Sequence, residues 1–426
     1  MKINFKMMVL AVACAGVFAS CNPDEKKVNN SKWVNDNLVG LTYDDENGLD
    51  LTYSGETMLG KIAEVKSCDD KNITIAVSGA DYEIDALLEE AGDDVIKIAT
   101  TGLFPGEKVA TLSVPYTKDG DEISLNGTVS TDNYTCSVAG TLTTEGLSLA
   151  VSNVVIAANE PLAGKKFNIV CYDENANLGE DPTTEDKDAA YPFHLVWEPS
   201  TDSLAIMGGF IKMPMEDVLD MAMVLPMIPV GAEGQISVME ALEETLKSVE
   251  FKADGNIVAS IKDEPVAEAP EQVTPLNFAT YKVLNDHQLA LYLNLAAIDS
   301  AAAEASTKAD EEEDPVSNGL IKVLAAVPVL MDAYLPMLGD GIVLNYGTSD
   351  KGITSFYLPT EFFAPLADVV GQLLADEDVV ALINYILNSI EDETGMMGML
   401  PEIIAQLPAL IESCTCFEVG VNFKAE

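Results

Sequence analysis

His194 and His287 are the only imidazoles in this chain of 426 residues. Any acid–base chemistry that uses an imidazole, the side chain whose unperturbed pKa lies nearest neutrality, must therefore use one of them. His194 follows Pro192 at the start of a strand that also carries Trp197. His287 belongs to Asn285-Asp286-His287, a turn between strands expected at Ala279–Leu284 and Gln288–Asn294. Neither stands in a G-x-S-x-G or H-E-x-x-H motif, so a strand histidine and a turn histidine are favoured over a triad. A hydrolase is the remotest of the functions considered, and no catalytic residue is assigned. Carboxylates are too abundant, at 70 Asp and Glu, for one functional pair to stand out. The segment from Asp173 to Gly179 resembles the start of a calcium loop. Its Gly falls at position seven instead of six, and Glu185 lies one residue beyond the position of the bidentate acid. It reads as an acidic turn. Cys414-Thr415-Cys416 places two thiols on one strand face without the further ligands that zinc requires. No metal and no cofactor is implied.

Methionine is distributed less evenly. Of 16 Met, 12 fall between Met207 and Met399. Met213, Met215, Met221, Met223 and Met227 crowd one stretch ending in Leu225-Pro226-Met227-Ile228-Pro229. Met331 and Met337 lie in Val323–Leu338, an apolar run broken by Pro328 and Pro336. Soft, unbranched side chains on proline-broken helices suit the lining of an adaptable apolar cavity; they equally fill gaps in a core. On the first reading, Met215, Met221, Met223, Met227, Met331 and Met337 form a ligand-binding set.

Composition narrows the partners. The net charge is −47, and every one of the 23 basic residues is Lys. A strongly anionic surface without guanidinium forks repels phosphate, which excludes nucleic acid and disfavours anionic headgroups. Apart from Cys14 and Cys21, five cysteines remain: Cys68, Cys136, Cys171, Cys414 and Cys416. Five cannot all pair within one chain, and a bridge from Cys68 to Cys136 or Cys171 is one arrangement the spacing allows.

The elements that must hold these residues follow from periodicity. From Leu49 to Ile156 the period is two: Ile123, Leu125 and Val129 alternate with polar neighbours, as do Tyr134, Cys136 and Val138. Asp119-Gly120 and Glu145-Gly146 supply turns. This predicts an antiparallel meander, closed as a barrel or sandwich, with one helix at Tyr82–Ala91. After a strand at Lys166–Tyr172 and an acidic loop at Asp173–Ala189, helical stripes dominate. Val238, Leu242, Leu246 and Val249 form one; Phe362, Leu366, Val369, Val370 and Leu373 another; Val379 to Ile390 a third; Ile403, Ile404, Leu407, Leu410 and Ile411 a fourth. Each helix passes into strands, an order that fits helices packed on an antiparallel sheet. The fold class expected is α+β: an N-terminal antiparallel β domain at 41–160 and a C-terminal α+β domain at 161–426. Between the helical units, Asp310–Asp314 is an uninterrupted acidic run, read as an exposed loop.

Residues 1–20 read as a bacterial secretion signal: Lys2 and Lys6, then apolar Met7–Phe18, then Phe18-Ala19-Ser20-Cys21. Cys21 is the expected site of lipidation, with a polar tether over 21–40. Together with Leu51-Thr52-Tyr53-Ser54-Gly55-Glu56 and Phe104-Pro105-Gly106-Glu107, this resembles a set of uncharacterised Bacteroidetes cell-envelope lipoproteins. The resemblance implies a calycin-like or other small β domain followed by a mixed helical region. It implies a cell-envelope location and supplies no activity. Asn22–Asn30 resembles the acidic peptide that directs lipoproteins of that phylum to the outer membrane, so the expected location is the outer membrane, lipid-anchored and facing the cell surface or the periplasm. The expected function is binding of a small apolar ligand or lipid. The alternative is a structural or protein-interaction component of a surface assembly.

Overall fold

A computed structural model describes residues 30–84, 96–176, 178, 182–206, 209–226, 228–230, 234–266, 269–305, 333–374, 379, 403 and 405–426. The leader with Cys21, the tether before residue 30, the acidic run 310–314, Met227, Met331 and most of the third helical stripe lie outside these residues. The chain is mostly β, in two curled sheets that each form a half-barrel.

The first sheet draws on β1 (Thr42–Asp44), β2 (Leu49–Tyr53), β3 (Glu56–Thr57), β4 (Lys61–Cys68) and β5 (Asn72–Gly79). A separate hairpin, β6 (Asp81–Ile84) with β7 (Ile96–Ala99), follows. Then come β8 (Val109–Asp119), β9 (Glu122–Ser130), β10 (Tyr134–Leu142) and β11 (Leu147–Ile156). The nine strands run β1-β4-β5-β8-β9-β10-β11-β2-β3, antiparallel except where β11 meets β2. Alternation of buried and exposed residues along β8, and along β11 from Leu147 to Val151, gives the sheet one apolar face. Gly140 lets it curl, because a Cβ there would collide with the Ser148 carbonyl. Helix α1 (Asn30–Asn37) covers the interior with Val34 and, just beyond it, Leu38. The inside is filled by side chains.

One expectation fails here. The helix predicted from Tyr82 is instead strand β6 at its start, with Tyr82 opposite Ile98 and Ile84 opposite Ile96. Asp81-Tyr82-Glu83-Ile84 alternates, and a cross-strand ladder satisfies its backbone groups; residues 85–91 lie outside those described.

The second sheet is built from β12 (Lys165–Ile169), β13 (Phe193–Glu198), β18 (Leu246–Phe251), β19 (Ile257–Lys262), β20 (Glu271–Val273), β21 (Ala279–Asn285), β22 (Gln288–Leu293), β23 (Ile342–Thr348), β24 (Ile353–Leu358) and β25 (Cys416–Ala425). Two small hairpins, β14 (Ser203–Ile206) with β15 (Ile211–Pro214) and β16 (Ile228–Val230) with β17 (Gly234–Ile236), branch from it. The order is β20-β19-β18-β12-β25-β24-β23-β22-β21, with β13 also on β25. The ends approach one another: Asn256 bridges to Thr280, and the Tyr281 N–H donates to the Gly255 carbonyl at 2.7 Å. Gly420, in mid-β25, permits the bend, since a Cβ would meet the Phe356 carbonyl.

Helices α2 (Thr184–Asp188), α3 (Met215–Val224), α4 (Val238–Thr245), α5 (Leu295–Ala305), α6 (residues 333–340), α7 (Thr360–Leu374) and α8 (Leu407–Ser413) complete this half. The sheet they accompany is curled into a half-barrel. Leu246 and Val249, assigned to a helical stripe, lie on β18; the helix stops at Thr245. Val249 is paired with both Phe167 and Ala259, and that ladder overrides the local 3.6 period.

Asparagines join the two halves. Buried Asn159 donates to the Tyr281 carbonyl and accepts from the Val283 N–H, both at 2.9 Å. Asn277 donates to the carbonyls of Tyr53, Glu56 and Thr57 at 3.1–3.2 Å. The Tyr53 hydroxyl reaches across to the Asp254 carbonyl at 2.6 Å.

Candidate functional site

Inside the second half-barrel the inward residues of successive strands pack on an aromatic cluster and leave a space beside it. Val249 from β18, Ile257 from β19, Leu291 and Leu293 from β22, Leu344 from β23, and Val419 and Val421 from β25 surround a cavity of about 380 Å³. Every residue lining it is apolar or glycine. Its floor is aromatic: Phe251 and Phe356 stack at 5.1 Å, with Phe423 edge-on to Phe356 at 5.9 Å. Beneath them Phe167 and Tyr281 complete the plug. This is a cup, closed by rings at one end. Its volume falls in the range of small-molecule sites. On the order of a dozen waters would fill it, none with the polar partners that an ordered buried water needs.

A second apolar space of about 390 Å³ lies among helices α3, α7 and α8, lined by Trp197, Met215, Phe363, Leu366, Leu407 and Phe417 among others. Phe417 packs on Phe363 at 4.8 Å and on Trp197 at 5.4 Å. The Gln406 side chain ties α8 to β14 through both the N–H and the carbonyl of Ala205. Lys187 ties α2 to α3 through Glu216 at 2.7 Å and Asp220 at 2.6 Å.

The methionines divide. Met215 is buried and lines this groove. Met221 and Met223 are half-buried on the same helix without reaching it. Met337, half-buried in α6, lines neither space. Met227 and Met331 lie outside the described residues. Of the four described methionines in the set, Met215 alone lines either of these two spaces.

His194 faces the other side of the sheet. Its Nδ1 is 2.9 Å from Asp188 Oδ2 and its Nε2 3.4 Å from Glu418 Oε2. Asn422 donates to Asp188 at 2.9 Å, and the Ser355 hydroxyl donates to Asn422 Oδ1 at 2.6 Å. Burial pushes the imidazole pKa down, but Asp188 and then Glu418 outweigh it, and the net shift is upward. This is a buried imidazole held between two carboxylates. Its Nε2 is directed at Glu418 and not at a hydroxyl or thiol, so a nucleophile-activating dyad is not formed here. His287 is exposed on its turn, where its backbone N–H donates to Asn285.

All five described cysteines are unpaired. Burial raises the Cys136 thiol to about 11, as expected of a small hydrophobe on the inner face of β10. In the acidic turn, Asp173 accepts from the Asn175 N–H at 3.0 Å, and Asn177 and Gly179 lie outside the described residues. Among the described residues no cluster of three acidic, histidine or cysteine groups could hold a metal ion. No described helix is long and apolar enough to cross a membrane.

Sequence reasoning missed the cup. Leu289-Ala290-Leu291-Tyr292-Leu293, a run apolar on both faces, signals a strand covered on both sides but not a cavity. Ala290 and Tyr292 face outward yet are buried at 2% and 5% exposure, while Leu291 and Leu293 face the cavity half-exposed. No family model, curated protein or solved structure matches the chain.

Proposed function

We propose that the protein binds a small apolar ligand or lipid, and that the cup of the second half-barrel holds it. The observation that carries this reading is a cavity of about 380 Å³ walled entirely by apolar residues and glycine. A folded chain gains by burying Leu291, Leu344 and Val421 against one another; leaving them around an open space forgoes roughly 25 cal/mol for each Å² not removed from water. A ligand that fills the cup recovers that term. Titration with an environment-sensitive apolar dye tests it. The expected result is saturable emission at one dye per chain, lost in Ala279→Phe, which fills the cup, with the unfolding midpoint unchanged. Dye uptake undiminished in a folded Ala279→Phe variant would remove the cup as the site.

The rest of the reading concerns address and organisation. Lys2, Lys6, the apolar stretch and Cys21 support a lipid-anchored protein of the outer membrane, displayed at the cell surface or on the periplasmic face. Two units, an N-terminal antiparallel β domain at 41–160 and a C-terminal α+β domain at 161–426, suit such a tether, the second carrying the ligand. A role as a structural or interaction component of a surface assembly is the second reading, favoured by Leu366, which stands 38% exposed on α7 beside the groove. Dye excluded from both native and variant protein would favour it.

A further inference from the structure

The cup and the helical groove lie end to end on one strand face. Phe417, Val419, Val421 and Phe423 alternate along β25 and so share a side of the sheet. Val419, Val421 and Phe423 line the cup; Phe417 lines the groove. On β24 the same succession appears: Phe356 and Leu358 line the cup, and Thr360, at the start of α7, lines the groove. The Thr360 hydroxyl accepts from the Phe417 N–H at 2.9 Å, which fixes the junction between them. From Phe417 to Phe423 the strand covers about 20 Å, the span of a palmitoyl-length chain. A compact ring system would occupy one space and leave the other empty.

Charge selects further. Among the described residues no Lys lines either space, and Asp368, at the groove, is the single charged residue lining them. A carboxylate head would face Asp368 and a chain of net charge −47 with no cationic partner at hand. A burial site for an anion needs such a partner.

We infer that the ligand is an unbranched, uncharged long-chain lipid, its tail in the cup and its head in the groove beside Asp368. The inference rests on the binding reading above and adds the shape and charge of what is bound.

Displacement of the apolar dye from the full chain by matched glycerides tests it. Monopalmitoylglycerol is expected to displace the dye at a concentration at least about tenfold below mono-octanoylglycerol, because the longer tail buries more methylenes. Palmitate, tested above its ionisation range, is expected to be weaker than monopalmitoylglycerol by at least about tenfold, and Asp368→Asn to narrow that gap. Ala364→Trp fills the groove from an exposed position of α7 and leaves the cup intact. It should still take up dye but lose the preference for the longer glyceride, to within about twofold. Equal displacement by the two glycerides, an undiminished length preference in Ala364→Trp, or palmitate matching the glyceride would each overturn the inference while leaving the cup in place. No dye uptake by the native chain would remove both readings.

Discussion

Two half-barrels made from similar strands reach opposite interiors. In the first, Leu112, Ile123 and Leu142 are fully buried, and α1 adds Val34 and Leu38. Phe104 stacks on Tyr134 at 3.8 Å near one rim, and the inward positions of all the long strands touch. In the second, the aromatic residues collect at one end, and the aliphatic positions above them stay half-exposed around a space. Buried and exposed residues alternate along β8 of the first, whereas β22 and β24 of the second carry buried residues on both faces, so the difference lies in what covers the strands. A filled interior serves stability; a hollow one of the same chemistry forgoes stability and gains a place for an apolar guest.

The sharpest way to break this comparison is to remove the same leucine from each half. Leu112→Ala should cost about 3–4 kcal/mol of unfolding free energy, since its neighbours cannot collapse into the gap. Leu291→Ala, on the wall of the cup, should cost less than about 1 kcal/mol because one side already lacks partners. Urea unfolding of the two variants decides the matter, and equal losses would mean that the cup is not open. The seam between the halves comes next. Asn159→Ala strands the Val283 N–H and the Tyr281 carbonyl, and about 2 kcal/mol should be lost, with the two halves then unfolding at separated midpoints in calorimetry.

Enlarging a side chain reverses the test. Val138→Phe overfills the first interior and should destabilise by about 1–3 kcal/mol, whereas Leu344→Phe should be tolerated within about 0.5 kcal/mol. A Leu344→Phe variant as damaged as Val138→Phe would contradict the hollow reading. The smallest effect concerns pH. The folded-state pKa of His194 is raised above 6.5. Its contribution is therefore complete below about pH 6.5 and is lost as pH rises through the folded value. His194→Gln should flatten that segment of the stability–pH curve, and a wild-type curve already flat there would show that the two carboxylates do not hold a proton on the ring.

Much of the architecture could be read from the residues. Alternation at Ile123–Val129 and Tyr134–Leu142, with turns at Gly120 and Glu145-Gly146, corresponds to β9, β10 and their hairpins. The stripe Phe362–Leu373 corresponds to α7. Reading failed where a ladder competed with a local period, at Tyr82–Ile84 and at Leu246–Val249. The cup was not legible, because a strand facing an empty space and one facing a packed core carry the same aliphatic residues. Only the distance across the barrel tells them apart, and that is set by closure between Asn256 and Thr280, two positions 24 residues apart whose pairing no local pattern announces. Methionine drew attention to the helices, and Met215 does line the groove there, but the apolar wall proper is Leu, Ile, Val and Phe.

Methyl-resolved NMR tests the central claim most directly. Isoleucine, leucine and valine methyls of the full chain would be followed during titration with monopalmitoylglycerol below its aggregation threshold. Shifts at Val249, Ile257, Leu291, Leu344, Val419 and Val421 in the cup and at Leu366 and Leu407 in the groove, with Leu112, Ile123 and Leu142 unmoved, are the predicted result. Shifts in the first half-barrel, or none in either, would contradict the assignment of the ligand to the hollow half.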